Sequence, residues 1–251
     1  MQQEPLDDLV TRILYRLRFL GEQRPFDTVS LAYILPLIFL VLEKGGTAAH
    51  GSEEADEQIV LALEFLSFHT DSCSNPALPR RKLLSTLVSS MQRYTQHYRA
   101  IKDCLHDLCR GLAANISLEE TNVLLRAAIL PELPVRTSTL QAIDNELDLE
   151  DMSPPEEIWL ACHDDVDENV EIAQTIWEEN KFELEPSLAT QIRAYLDSTD
   201  SQLRRAASRS LAEILDTHPS MFHSTLEELQ NSYKEKAKPK KPELDQYGMP
   251  R

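Results

Sequence analysis

Asp167-Glu-Asn-Val-Glu-Ile-Ala-Gln-Thr-Ile-Trp177 and Asp200-Ser-Gln-Leu-Arg-Arg-Ala-Ala-Ser-Arg-Ser-Leu211 are two versions of one helical phrase, set 33 residues apart. Each opens on an Asp, a residue type that caps the free N–H groups of a starting helix. Three positions on stands a branched aliphatic, Val170 or Leu203, and three beyond that an alanine, Ala173 or Ala206. These fall on one helical face. A small residue there lets a neighbouring helix approach, while the larger residues of the next turn fill the gap. Recurrence at such a period is the mark of a repeat array.

Weaker copies lie upstream. Taking the apolar anchor as the mark, the series is Ile59, Tyr98, Val135, Val170 and Leu203, at intervals of 39, 37, 35 and 33. Three residues before each stand Asp56, Thr95, Glu132, Asp167 and Asp200, and directly after three of them come Arg99, Arg136 and Arg204. The intervals suit two-helix solenoid units. The expected fold is therefore all-α: an α-solenoid of HEAT/armadillo-like helical pairs, with about six repeats over residues 1–236. The Lys- and Pro-rich stretch 237–251 reads as a linker or tail. Nothing there caps a final repeat, so the chain reads as a piece of a longer solenoid.

Periodicity and punctuation place helices near 5–20, 28–43, 54–69, 80–94, 97–111, 118–130, 134–147, 155–163, 166–180, 187–197, 200–216 and 219–235. Thr28–Leu42 carries no charge over fifteen residues. That is short of the ~20 needed to span a bilayer, and Pro36 interrupts it, so a buried helix is expected and no membrane segment. The N-terminal stretch holds Glu4, Asp7 and Asp8 and is not a secretory signal. Four scattered cysteines (Cys73, Cys104, Cys109, Cys162) do not make a disulfide framework, which points to a reducing, cytoplasmic setting.

Charge is concentrated. Between Asp144 and Glu185 there are sixteen acidic residues against one lysine, almost the whole of the chain's net −17. Such a belt repels nucleic-acid phosphates and suits a basic protein. Asp164, Asp165, Glu168 and Glu171 are the candidate residues for that basic-partner surface, beside the plainer reading of a solvated rim. Arg205 and Arg209, four apart on the following helix, are the candidates for phosphate or ribosome contact. Arg136 and Arg204 read instead as ladder residues pairing with the Asp of the neighbouring repeat, and Trp159 with Trp177 as core partners.

Catalytic and metal chemistry have little support. Asp165-Val-Asp-Glu-Asn169 begins like a calcium loop, but Val170 stands where the turn needs Gly, and Ile176 where a bidentate Glu is needed. Cys104, His106 and Cys109 point in different directions on a helix, and Cys162-His163 has no partner pair at zinc spacing. Gly-rich phosphate loops and nucleophile elbows are missing. Neither an enzyme, a small-molecule substrate nor a cofactor is expected.

Three stretches carry a family resemblance: Ile158-Trp-Leu-Ala-Cys-His-Asp-Asp-Val-Asp-Glu-Asn-Val170, Ile176-Trp-Glu-Glu-Asn180 and Asp200-Ser-Gln-Leu-Arg-Arg-Ala-Ala207. Together with Phe19-Leu-Gly-Glu-Gln-Arg-Pro-Phe-Asp-Thr-Val-Ser-Leu31, they resemble the family of the large HEAT-repeat translational activator, general control nonderepressible protein one. The likeness is sharpest over 156–216. It implies a cytosolic, non-enzymatic scaffold on ribosomes that promotes activation of the starvation-responsive initiation-factor kinase, together with an ATP-binding-cassette partner. No kinase-binding residue of the family can be matched here. The alternative is a HEAT adaptor of another system, such as a transport receptor or phosphatase scaffold.

Overall fold

The computed structural model describes residues 5–48 and 51–238. Twelve α-helices follow one another among them: α1 Leu6–Gln23, α2 Thr28–Lys44, α3 Glu53–Cys73, α4 Arg80–Arg93, α5 Tyr98–Leu112, α6 Leu118–Ala127, α7 Leu133–Glu146, α8 Glu156–Ala161, α9 Asp167–Glu179, α10 Pro186–Arg193, α11 Ser201–Thr217 and α12 Phe222–Ala237. Short 3-10 turns precede α5 and α12 and extend α10. No strand occurs among the described residues. Most of the tail expected over 237–251 lies outside them.

Local chemistry sets the helix ends. Asp27 accepts the Ser30 N–H at 2.7 Å and starts α2, and Ser52 accepts from Ala55 at 3.1 Å to start α3. Ser117 and Glu120 form a reciprocal capping box on α6. Asp200 caps α11 as its sequence position implies, accepting from Gln202 at 2.9 Å. Asp167 does not cap α9. It is that helix's first residue, where its charge still suits the helix dipole, and Asp164 instead accepts the Val166 N–H at 3.0 Å. Pro36 sits inside α2 without ending it. The carbonyl it leaves unbonded belongs to Ala32, an exposed residue within reach of water.

The helices stack in two layers. α1, α3, α5, α7 and α9 lie side by side in one, and α2, α4, α6, α8 and α10 in the other. Each odd helix from α3 onward also packs on the even helix before it, which is the pairing of a HEAT-type α-solenoid. One continuous core runs between the layers through Leu14, Leu35, Phe65, Leu84, Leu105 and Leu140 to Ile158 and Ile192. Ala173 and Ala206 are fully buried, as a close helix approach requires. Ile59 and Val135 are buried, but Val170 is only half-buried and the polar Asn169 beside it is wholly buried. The reason lies in the charged contacts described next.

Register changes once. α11 packs chiefly on α10 and α8 rather than on α9. The Trp159 indole N–H donates to the Ser210 carbonyl at 3.3 Å, and the Ser210 hydroxyl returns a bond to the Trp159 carbonyl. Trp159 also packs on Trp177 at 4.9 Å between ring centroids, and Trp177 on Phe182 at 5.3 Å. The two tryptophans are core partners, as their spacing implied. The outer faces of α1 and α12 expose Leu6, Ile13, Phe19, Phe222 and Tyr233.

Candidate functional site

Asp164, Asp165, Arg136, Arg205 and Arg209, singled out from sequence, meet at the five-residue loop between α8 and α9. Its two adjacent aspartates point opposite ways. Asp164 turns inward, where Arg136 of α7 holds it through both carboxylate oxygens, Nε to Oδ2 at 2.7 Å and Nη2 to Oδ1 at 3.2 Å. Both side chains are almost fully buried, at 5% and 1% exposure. Asn169 adds a bond to Asp164 at 3.1 Å and accepts one from Thr137 at 2.8 Å, which explains why a polar residue occupies the buried position. Arg136 Nη1 donates to the carbonyls of Leu130 and Pro131. A buried guanidinium and carboxylate survive only with such complete pairing.

Asp165 turns outward. It accepts from Arg205 and from Arg209, the latter at 3.1 Å, so α11 is tied across the register change to the loop before α9. The Arg205 hydrogen bond, then the charges of both arginines, hold the Asp165 carboxyl below its ordinary range despite some burial. Asp164 and Asp165 thus link α7 to α11 through two neighbouring residues.

The inward half of this arrangement recurs. Arg80, at the start of α4, donates to the Ser74 carbonyl six residues back at 2.9 Å and to both oxygens of Glu120 at 2.8 Å. Burial alone would push the Glu120 carboxyl up; the Ser117 backbone N–H and Arg80 outweigh it and hold the group low. Arg136 reaches the Leu130 carbonyl, also six back, and Arg204 reaches that of Ser198 at 2.6 Å. Among the described residues Arg204 meets backbone carbonyls and not the expected aspartate of a neighbouring repeat. Arg99 is exposed on α5 and takes no part in the series; Arg80, outside the anchor pattern, does.

The basic-partner surface therefore needs one correction. Asp164 is buried in an ion pair and presents nothing to a partner, because its neighbours Arg136 and Asn169 draw it into the repeat interface. Asp165 is engaged by two arginines. Glu168 and Glu171 are exposed on α9, Glu168 accepting a bond from Gln141 at 3.1 Å. Arg205 and Arg209 stay more than half exposed while pairing with Asp165. Among the described residues, most of the belt's acidic side chains have no basic side chain paired with them.

The other reactive residue types are embedded. All four cysteines are buried thiols, and burial pushes each up to about 12. His69, His106 and His163 are held below the ordinary histidine range, first of all by burial. No group of three or more His, Cys, Asp or Glu among the described residues is placed to hold a metal ion. Nor is any helix among them long and apolar enough to cross a membrane. A cleft of about 860 Å³ opens beside the start of α3, with Glu43, Asp56 and Glu57 on its walls already bonded to Lys82, His97 and Tyr15. A second cleft, of about 640 Å³, opens over α8.

Comparison with known proteins is consistent along the chain. Residues 1–92 match the family described as fungal GCN1-like HEAT repeats, and residues 144–251 match that of the stalled ribosome sensor GCN1, HEAT repeats. The eIF-2-alpha kinase activator GCN1 of Saccharomyces cerevisiae is 33% identical across 98% of the chain, which spans 10% of that relative's length. No solved structure matches the chain.

Proposed function

The chain belongs to the GCN1 family of HEAT-repeat proteins, and on that premise we propose that it is a non-enzymatic scaffold segment of a ribosome-associated activator of the eIF-2-alpha kinase. The observation that carries this reading is the likeness to the yeast kinase activator along nearly the whole chain, not at one motif. In this reading residues 1–236 are one array of about six repeats, and the apolar outer faces of α1 and α12 stack on further repeats. Cytoplasmic location follows from the ribosome. The kinase and an ATP-binding-cassette partner engage other parts of the full-length protein.

The charge arrangement favours a basic ribosomal protein over ribosomal RNA as the local contact. Arg205 and Arg209 spend their guanidinium groups on Asp165, whereas Glu168 and Glu171 stand exposed within a strongly negative surface that opposes phosphate. The test is ribosome co-sedimentation of the full-length protein. Glu168→Gln with Glu171→Gln is expected to lower it, and Arg205→Gln with Arg209→Gln to leave it nearly unchanged. The reverse result would assign the contact to RNA phosphates on α11.

A further inference from the structure

α8 has only six residues and follows Ser153-Pro154-Pro155, so it does not fill the span between α6 and α10. The cleft left over it holds a carboxylate in an unusual position. Glu157 is 7% exposed and lines the cleft, yet has no hydrogen bond or ion pair to another side chain among the described residues. Burial, and then the charge of Glu156, push its carboxyl up, outweighing a hydrogen bond from its own backbone N–H and the charge of Arg126. Burial and then Glu157 likewise push up the Tyr195 hydroxyl nearby. The Glu157 oxygens face the cleft rather than a protein partner, and a carboxylate this deeply set with no side-chain donor loses much of its hydration. A raised carboxyl facing a cleft, with no side chain of the protein to pair with it, marks a candidate site for a ligand that brings a donor.

The walls say which donor fits. Asp151, Glu156 and Glu157 against Arg126 make the cleft negative, which disfavours a phosphate or carboxylate. Leu125 and Pro154 give it an apolar flank suited to the methylene stem of a long cationic side chain. We propose that this cleft receives a lysine or arginine side chain of a partner polypeptide, with the cation meeting Glu157 and the stem lying along Leu125 and Pro154. Charge-assisted bonds of this kind are the stronger class. The pocket lies on the even-helix layer, apart from Glu168 and Glu171 on α9, and stands on its own geometry whatever the role of the ribosome.

The test uses the purified chain and a fluorescein-labelled Gly/Ser peptide bearing four spaced arginines, read by fluorescence anisotropy. Glu157→Gln keeps the shape and removes a buried charge, so it leaves the fold intact; binding should weaken about tenfold, the loss of one charge-assisted contact. Gln191→Trp, at the exposed rim, should block the cleft with similar effect. Glu168→Gln with Glu171→Gln should change the dissociation constant by less than about twofold, as screened charges outside the pocket do. Wild-type affinity in Glu157→Gln, or no binding by the unaltered chain, would overturn the proposal. So would capture of a short single-stranded RNA that is lost in Arg126→Glu. No ribosome is present in this assay, so its failure and that of the scaffold reading are separate results.

Discussion

Replacing Asp164 by alanine should damage the array far more than replacing its neighbour Asp165. In Asp164→Ala the Arg136 guanidinium keeps the carbonyls of Leu130 and Pro131 but loses both carboxylate bonds. Its side chain is only 5% exposed, so water cannot take their place. Breaking a buried pair by removing one partner costs about 3–5 kcal/mol. The orphaned Asn169 amide and Val166 N–H fall within that range. Asp165→Ala removes a pair whose arginines are more than half exposed, and such pairs are worth about 0–1 kcal/mol. Urea denaturation at 25 °C, followed by circular dichroism, measures both losses. The two tryptophans, Trp159 on α8 and Trp177 on α9, both lie in the second half of the array, so their fluorescence reports that half alone. Since repeats are stabilised through nearest neighbours, Asp164→Ala should pull the fluorescence midpoint below the midpoint seen by circular dichroism. Equal losses in the two variants, or a loss below about 1 kcal/mol in Asp164→Ala, would refute the assignment of inward and outward roles.

Three further outcomes are expected. Burial holds His69, His106 and His163 below their unfolded value of 6.5, so their contribution is complete above that pH and is lost as pH falls toward the folded values. Urea midpoints should therefore drop between about pH 7.5 and 5.5. The raised carboxyls of Asp144 and Glu157 act the other way, so the drop should be larger in Glu157→Gln, and a midpoint flat across this range in that variant would contradict it. Ala206→Leu overfills a site with 1% exposure and should cost about 1–3 kcal/mol, read as a lowered melting temperature; no change would mean that the register of α11 is wrong. Lys181 ends α9 at φ +54, a conformation that suits glycine, and its ion pair with Glu150 is exposed. Lys181→Gly should raise stability by up to about 1 kcal/mol, and a lower melting temperature would count against it.

The helical repeat was legible because it rests on local signals. Asp200 caps where its phrase begins, and Ala173 and Ala206 are buried where the phrase places them. The Arg136–Asp164 rung was legible in outline, since an arginine recurred at one position of the phrase. Its details were not. Asp164 and Asp165 are chemically identical neighbours, and only the packing of the loop sends one inward and the other to α11. Arg80 and Glu120 are 40 residues apart and off the anchor pattern, so no periodic signal joins them. One trace existed: Ser117 and Glu120 spell a capping box, which marks a turn dense in buried donors. Glu157 was read as part of an acidic surface because charge counts cannot show burial. The short helix after two prolines leaves it under α6 and α10.

The scaffold account stands or falls on whether this segment contributes a surface or only length. The direct measurement is ribosome co-sedimentation, with eIF-2-alpha phosphorylation read in parallel under amino-acid starvation. It compares the full-length protein with a version in which residues 5–238 are replaced by an unrelated HEAT array of equal length and near-neutral charge. The account predicts that the replacement lowers both ribosome association and phosphorylation, because the acidic face and the Glu157 cleft are lost while the solenoid's reach is kept. Wild-type levels of both would contradict it and would reduce the segment to a spacer.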